Sequence, residues 1–266
     1  MDPLAPLISA LHNQGRLRVW SLVITVFGDL VQHRGGQVST ARLGAVLGRI
    51  GVEQGALRTA LSRLGRDGWV QGERRGRTSL YRLSEQGLAR FAPATLRIYA
   101  PVRAGDVTRW AMVLKMGATG RQEVSVCPLE EVTDVGDCLI AGELQSVSAA
   151  YRTSLLGGDH RAALAALAAD MDALAGADIA EPLDAAAARV LLVHRWRRIV
   201  LRFPEIPREL MPEDTPLADP RADVARAYWR LSEAGEVWMG REFAGLPGLP
   251  ATGDTASGRF KPSQKA

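Results

Sequence analysis

Between residues 51 and 83 the chain reads GVEQGALRTALSRLGRDGWVQGERRGRTSLYRL, and its hydrophobic period changes from helical to extended. Leu57, Ala60, Leu61 and Leu64 recur at i, i+3, i+4 and i+7, which places them on one face of a helix. At about 100° per residue, Arg58, Thr59, Ser62, Arg63 and Arg66 point away from that face. Gly68 is placed to stop the helix, because glycine accepts the positive φ of a helix end. Trp69 and Val70 begin an extended segment, 73–77 makes a turn-like basic tip, and 78–83 returns as a strand. Upstream, Trp20, Val23, Ile24, Phe27 and Val31 mark an earlier helix, closed by Gly35 and Gly36. Gln37 and Val38 form a short extended piece. Ser39 or Thr40 can cap a helix buried through Leu43, Val46, Leu47 and Ile50. Residues 1–15 are a loose arm or a short helix, and Ser84 can cap a helix running to Phe91. The order of helix, short strand, helix, turn, helix and hairpin predicts a winged helix-turn-helix over 16–92.

Beyond it, Trp110 to Leu114 reads as a strand that opens a small αβ segment over 93–148. Leu164, Leu167, Met171 and Leu174 predict a packing helix over 161–177. A second helix covers 183–201 and ends at Phe203-Pro204, and a third covers 221–239 with Ala225, Tyr228, Trp229 and Leu231 or Ser232 near its inner face. A helical domain is therefore expected over 149–244. Residues 245–266, rich in Gly, Pro, Ser and Thr, predict a disordered tail. The fold class is α+β and mostly helical.

Charge sharpens this picture. The chain carries +4, but residues 16–91 hold thirteen arginines, no lysine and five acids, a net +8, so the remainder is −4. A positive field confined to one domain suits a phosphate-binding module. Arginine forks reach guanine edges and phosphates, and short hydroxyls reach either. Arg58, Thr59, Ser62, Arg63 and Arg66 are thus the candidate base- and backbone-reading set, with Arg74, Arg75 and Arg77 on the wing. The plainer readings are a solvated helix face, or a winged helix that binds protein only.

Enzymatic and metal chemistry find little footing. No GxSxG, Walker, HExxH or dinucleotide pattern occurs, and Cys127 and Cys138 lack a CxxC or an adjacent histidine. No catalytic residue, metal or cofactor is assigned. Asp106, alone before the Trp110 strand, is the one position a nuclease metal could use, and a loop cap is the simpler role. No run resembles a signal peptide or a membrane span, so a cytoplasmic protein is expected.

The runs SLVITVFGDLVQHRGGQV, GVEQGALRTALSRLGRDGWV and GRTSLYRLSEQGLARF resemble the N-terminal domain of the PaaX family of transcriptional regulators. The later HRWRRIVLRFPEIPRELMPED is similar to that family's C-terminal domain. The resemblance implies a homodimeric repressor of a phenylacetate-type catabolic operon. It would bind an inverted-repeat operator in double-stranded DNA and be released by an aryl-CoA thioester such as phenylacetyl-CoA. It also implies a ferredoxin-like (Cas2-like) middle domain, although 110–147 departs from the family pattern and the usual arginine-rich helix is hard to place. The alternative class is a Cas2-like nuclease or a CoA-ester enzyme with an appended winged helix. For the effector, His194, Arg195, Trp196, Arg197 and Arg198 are the local candidates, with arginines for CoA phosphates and Trp196 to stack on a ring. The competing reading buries Trp196 and leaves the arginines solvated or paired with acids.

Overall fold

The computed structural model describes residues 2–13, 15, 17–118, 120–253 and 258–261. Its N-terminal part runs α1 (Ala5–His12), α2 (Val19–Val26), a π-helical turn (Phe27–Val31), β1 (Gln37–Ser39), α3 (Thr40–Arg49), α4 (Gln54–Arg66), β2 (Val70–Arg75), β3 (Thr78–Leu83) and α5 (Glu85–Ile98). The three strands form an antiparallel sheet in the order β1-β3-β2, with Val38 opposite Tyr81 and Val70 opposite Leu83. Capping sets the helix starts. Ser39 Oγ accepts the Arg42 N–H at 3.2 Å, and Ser84 Oγ accepts the Gly87 N–H at 2.9 Å. α5 continues well beyond Phe91 despite Pro93 within it. Tertiary contacts hold its last turn: Ile98 and Tyr99 are buried, and Trp196 Nε1 donates to the Ile98 carbonyl at 2.8 Å.

The C-terminal part contains α6 (Ala149–Leu155), α7 (Gly158–Gly176), α8 (Pro182–Val200) and α9 (Pro220–Gly240). α8 is the axis of the molecule. It is buried almost continuously from Ala185 to Val200, because its apolar residues surround the helix rather than marking one stripe. Ala185 to Ala188 let α9 approach closely: a Cβ on Gly235 would stand 3.4 Å from the Ala186 backbone. On its other sides α8 meets α7 and also α2, α3 and α5. One apolar core therefore runs from Leu22, Phe27 and Leu47 through Leu192 and Trp196 to Val224 and Leu231. The border expected between 16–92 and 149–244 is crossed by this shared core.

Three expectations need correction. The middle segment holds β4 (Trp110–Met116), β5 (Gln122–Pro128) and β6 (Cys138–Gly142), all antiparallel in the order β5-β4-β6. A ferredoxin-like unit needs crossover helices, and among the described residues between α5 and α6 there is only a 3-10 turn (Leu129–Glu131). Second, Trp229 lies 37% exposed rather than on the inner face of α9.

Third, the tail over 245–266 is packed where it is described; 254–257 and 262–266 lie outside the described residues. Phe260 is buried with its ring 5.5 Å from Tyr99 and 5.3 Å from Tyr228. Beside it Arg259 donates to Asp29 Oδ1 at 3.2 Å, to the Tyr228 hydroxyl at 3.0 Å and to the Gly28 carbonyl at 2.8 Å. The cause is electrostatic. Asp29 sits fully buried in the π-helical turn, where a carboxylate is costly without cations and donors. Arg189 supplies Nε at 2.9 Å, Tyr99 its hydroxyl at 3.0 Å, and the tail supplies the second guanidinium. Glu236 extends the network to Arg189 at 2.7 Å, Arg34 at 2.5 Å and Thr252 at 2.6 Å. Burial raises the Glu236 carboxyl, but its contacts with His33, Arg189 and Thr252 outweigh this and hold it well below the usual carboxylate range.

Candidate nucleic-acid interface

The placement of α4 is set by the turn before it and the stop after it. α3 ends at Ile50, Gly51 turns the chain at φ +85°, and α4 starts from Glu53. Leu57, Ala60, Leu61 and Leu64 bury the inner face of α4 against α2 and α3. At its end Gly68 takes φ +72°, the Trp69 N–H reaches the Leu64 carbonyl at 2.8 Å, and the Gly68 N–H reaches Gly65 at 3.2 Å. That pair of bonds is a Schellman stop, and it turns the chain directly into β2.

With the inner face buried, Arg58, Thr59, Ser62, Arg63 and Arg66 are all exposed, as the spacing predicts. Thr59 Oγ1 bonds back to the Gly55 carbonyl at 3.0 Å, and Arg63 Nε lies 3.5 Å from Asp67. Among the described residues no ion pair engages Arg58 or Arg66.

The wing is tighter than the sequence suggests. Its loop is only Gly76 and Arg77, with Gly76 at φ +59°, while Glu73, Arg74 and Arg75 belong to β2. All of 71–77 is exposed. Arg75 Nε pairs with Glu73 at 2.8 Å, which holds the Glu73 carboxyl below its ordinary value. Arg74 Nε reaches the Gly76 carbonyl at 3.3 Å, and among the described residues Arg77 has no ion-pair partner. Helix face and wing tip thus present cations over surfaces that cover no core, which can meet a groove and its flanking phosphates.

The proposed effector cluster does not gather into a site. Five successive helical positions point to all sides of α8, and most are engaged within the protein. Trp196 is buried under Arg221, whose guanidinium lies 5.2 Å from its ring. Arg195 forms a two-pronged pair with Asp170 at 2.6 and 3.1 Å. Arg197 Nη1 donates to the Ser21 carbonyl and to Thr25 Oγ1, both at 3.0 Å. His194 is buried with Nδ1 3.0 Å from Thr25 Oγ1; burial first, then the cations of Arg197, Arg198 and Arg195, lower its pKa to about 3. Arg198 alone is exposed, and it lines a cleft beside α4. Asp106 is an exposed loop residue paired with Arg208. Sequence reading missed the Asp29, Arg189 and Arg259 network; nothing local marks partners 160 and 230 residues apart.

No helix among the described residues is long and apolar enough to cross a membrane. The family model described as PaaX-like protein matches residues 18–87, and that of the PaaX-like protein C-terminal domain matches 146–241. The first spans the whole helix-turn-helix and wing. The second spans α8 and α9, and the middle sheet lies outside both. Over 281 residues the chain is 26% identical to the transcriptional repressor PaaX of Escherichia coli (strain K12), covering 90% of this chain and 89% of that protein. The arginine-faced helix, its wing and the all-round buried α8 are therefore the features of a chain that belongs to the PaaX-like family.

Proposed function

We propose that this protein is a transcriptional repressor that binds double-stranded DNA through α4 and the β2–β3 wing. The observation that supports it best is the outward face of Arg58, Ser62 and Arg66 beside the exposed arginines of the wing, in the segment matched by the family model. The control region is that of an aromatic-acid catabolic operon of the phenylacetate type, and the releasing signal is an aryl-CoA thioester, phenylacetyl-CoA being the first compound to test. Calorimetric titration with phenylacetyl-CoA, free CoA and phenylacetate, with and without the operator duplex, tests both halves. An inducer must bind the free protein more tightly than the DNA complex, by the same factor as it weakens DNA binding. Equal affinity in both conditions would remove phenylacetyl-CoA as the inducer.

One helix and one wing read few base pairs, so the operator is an inverted repeat and the protein a homodimer. The helical region offers little for such a contact, because α8 is already covered within the chain. The better candidate is the outer face of the middle sheet, where Met112 stands opposite Val126 and Ile140, and Leu114 opposite Val124. Met112, Val124 and Ile140 are all exposed. Ile140→Asp should shift the protein from dimer to monomer in sedimentation, and an unchanged dimer would place the contact elsewhere.

A further inference from the structure

A cleft of about 1150 Å³ opens between α4, the start of α2 and the last turns of α8. Its volume is at or above the usual range for a small-molecule site, about 300–1,000 Å³. The walls divide by chemistry. Trp20, with Leu11, Leu17 and Val19, provides an apolar side. Arg18, Arg63 and Arg198 bring three cations, of which Arg63 also pairs with Asp67 at 3.5 Å, and among the described residues no carboxylate lines the cleft. The neighbouring α2 start adds to this field: Arg18 caps it without a side-chain hydrogen bond, and its first turn carries no acid. Burial first, and then the neighbouring Arg195, Arg18 and Arg202, lower the Arg198 pKa. Buried His194, neutral at ordinary pH, forms part of the wall between the cleft and the core.

The cleft shares a wall with the DNA face. Around α4, Ser62 and Arg66 lie at the centre of the exposed arc, with Arg58 on one flank. Thr59 and Arg63 lie on the flank that turns into the cleft. A pocket whose described lining is cationic on one side and apolar on the other suits a ligand with phosphates at one end and an apolar arm at the other. We propose that this cleft binds such an organic anion, and that its occupant and operator DNA compete for α4 through Arg63 and Thr59. The proposal rests on the repressor reading and supplies its switch: the ligand acts against the recognition helix itself, so release requires no relay through a distant domain.

The test is titration of the full chain with phenylacetyl-CoA, CoA and ATP, in the wild type, Arg18→Glu, Arg198→Glu and, as a control, Arg226→Gln, an exposed residue of α9 outside the cleft lining. Arg18 is exposed, so its variant should keep the wild-type melting curve; Arg198 has partners in the fold, and its variant is read only alongside that curve. Affinity should fall at least tenfold in the two cleft variants and stay unchanged in the control, and saturating ligand should raise the operator Kd. Phenylacetyl-CoA binding that is equal in wild type and Arg18→Glu would overturn the cleft and leave the effector reading standing. Arg18-dependent binding of ATP without phenylacetyl-CoA binding would support the cleft and remove that effector. If none of the three binds the wild type, the anion site is wrong, whatever the protein does with DNA. Ligand binding in the cleft with unchanged operator affinity would overturn the competition.

Discussion

Replacing Arg74, Arg75 and Arg77 together by alanine isolates the wing, because all three are exposed and cover no core. Each phosphate neutralised by a cation contributes about 0.9 to the slope of log K against log[salt]. The three arginines are not equivalent. Arg75 is already paired with Glu73 at 2.8 Å, so its net contribution is small, while Arg74 and Arg77 have no carboxylate partner among the described residues. The slope should therefore flatten by about 1.8, two phosphates rather than three. Over a fourfold rise in salt, that difference makes the wild-type affinity fall about twelvefold further than the variant's. Glu73→Gln should act in the opposite sense, freeing Arg75 and steepening the slope by about 0.9. Fluorescence anisotropy with the operator and an unrelated duplex across a salt series reads both variants, and the losses should be alike on the two duplexes. An unchanged slope in the triple variant, or a flatter one in Glu73→Gln, would take the wing out of the interface.

Arg58→Ala should weaken operator binding by about 1–3 kcal/mol while changing unrelated duplex much less, if its fork reads a base edge; equal losses on both duplexes would make it a phosphate contact. Arg259→Ala leaves the buried Asp29 with one guanidinium fewer and should cost about 3–5 kcal/mol in urea unfolding, and a loss below about 1 kcal/mol would show the tail residue to be dispensable. Gly87→Ala would drive a Cβ to 2.2 Å from the Trp69 carbonyl oxygen, backbone that cannot step aside, so a melting temperature equal to wild type would contradict the packing of α5 on the wing. His194 is depressed from 6.5 to about 3 in the folded protein, so the unfolded chain takes up the proton first as pH falls. Its contribution is fully present above 6.5 and is lost on acidification towards the folded value, about 2 kcal/mol of it by pH 5. His194→Gln should flatten that part of the stability profile.

The local grammar of the first 91 residues was sufficient for the helix-turn-helix and its wing. Ser39, Gly51, Gly68 and Ser84 are stops and caps whose chemistry acts within a few residues, and the buried stripe of α4 fixes which arginines face out. The same logic failed where the answer depends on distant partners. The run from His194 to Arg198 admits two readings in sequence, an anion site or a buried Trp196 beside solvated or paired arginines, and Asp170, Ile98, Ser21 and Thr25 claim four of its five side chains from other elements. The tail composition suggests disorder because nothing near Arg259 reveals a buried carboxylate 230 residues earlier. The middle strands were partly legible from Trp110 onward, but their pairing order and the helix-free connection are long-range facts. Sequence thus determined the elements and the charge they present, since capping and periodicity are short-range. Only the tertiary structure decided which charges are consumed in the core and which remain to meet a ligand, because burial is a property of the assembled chain.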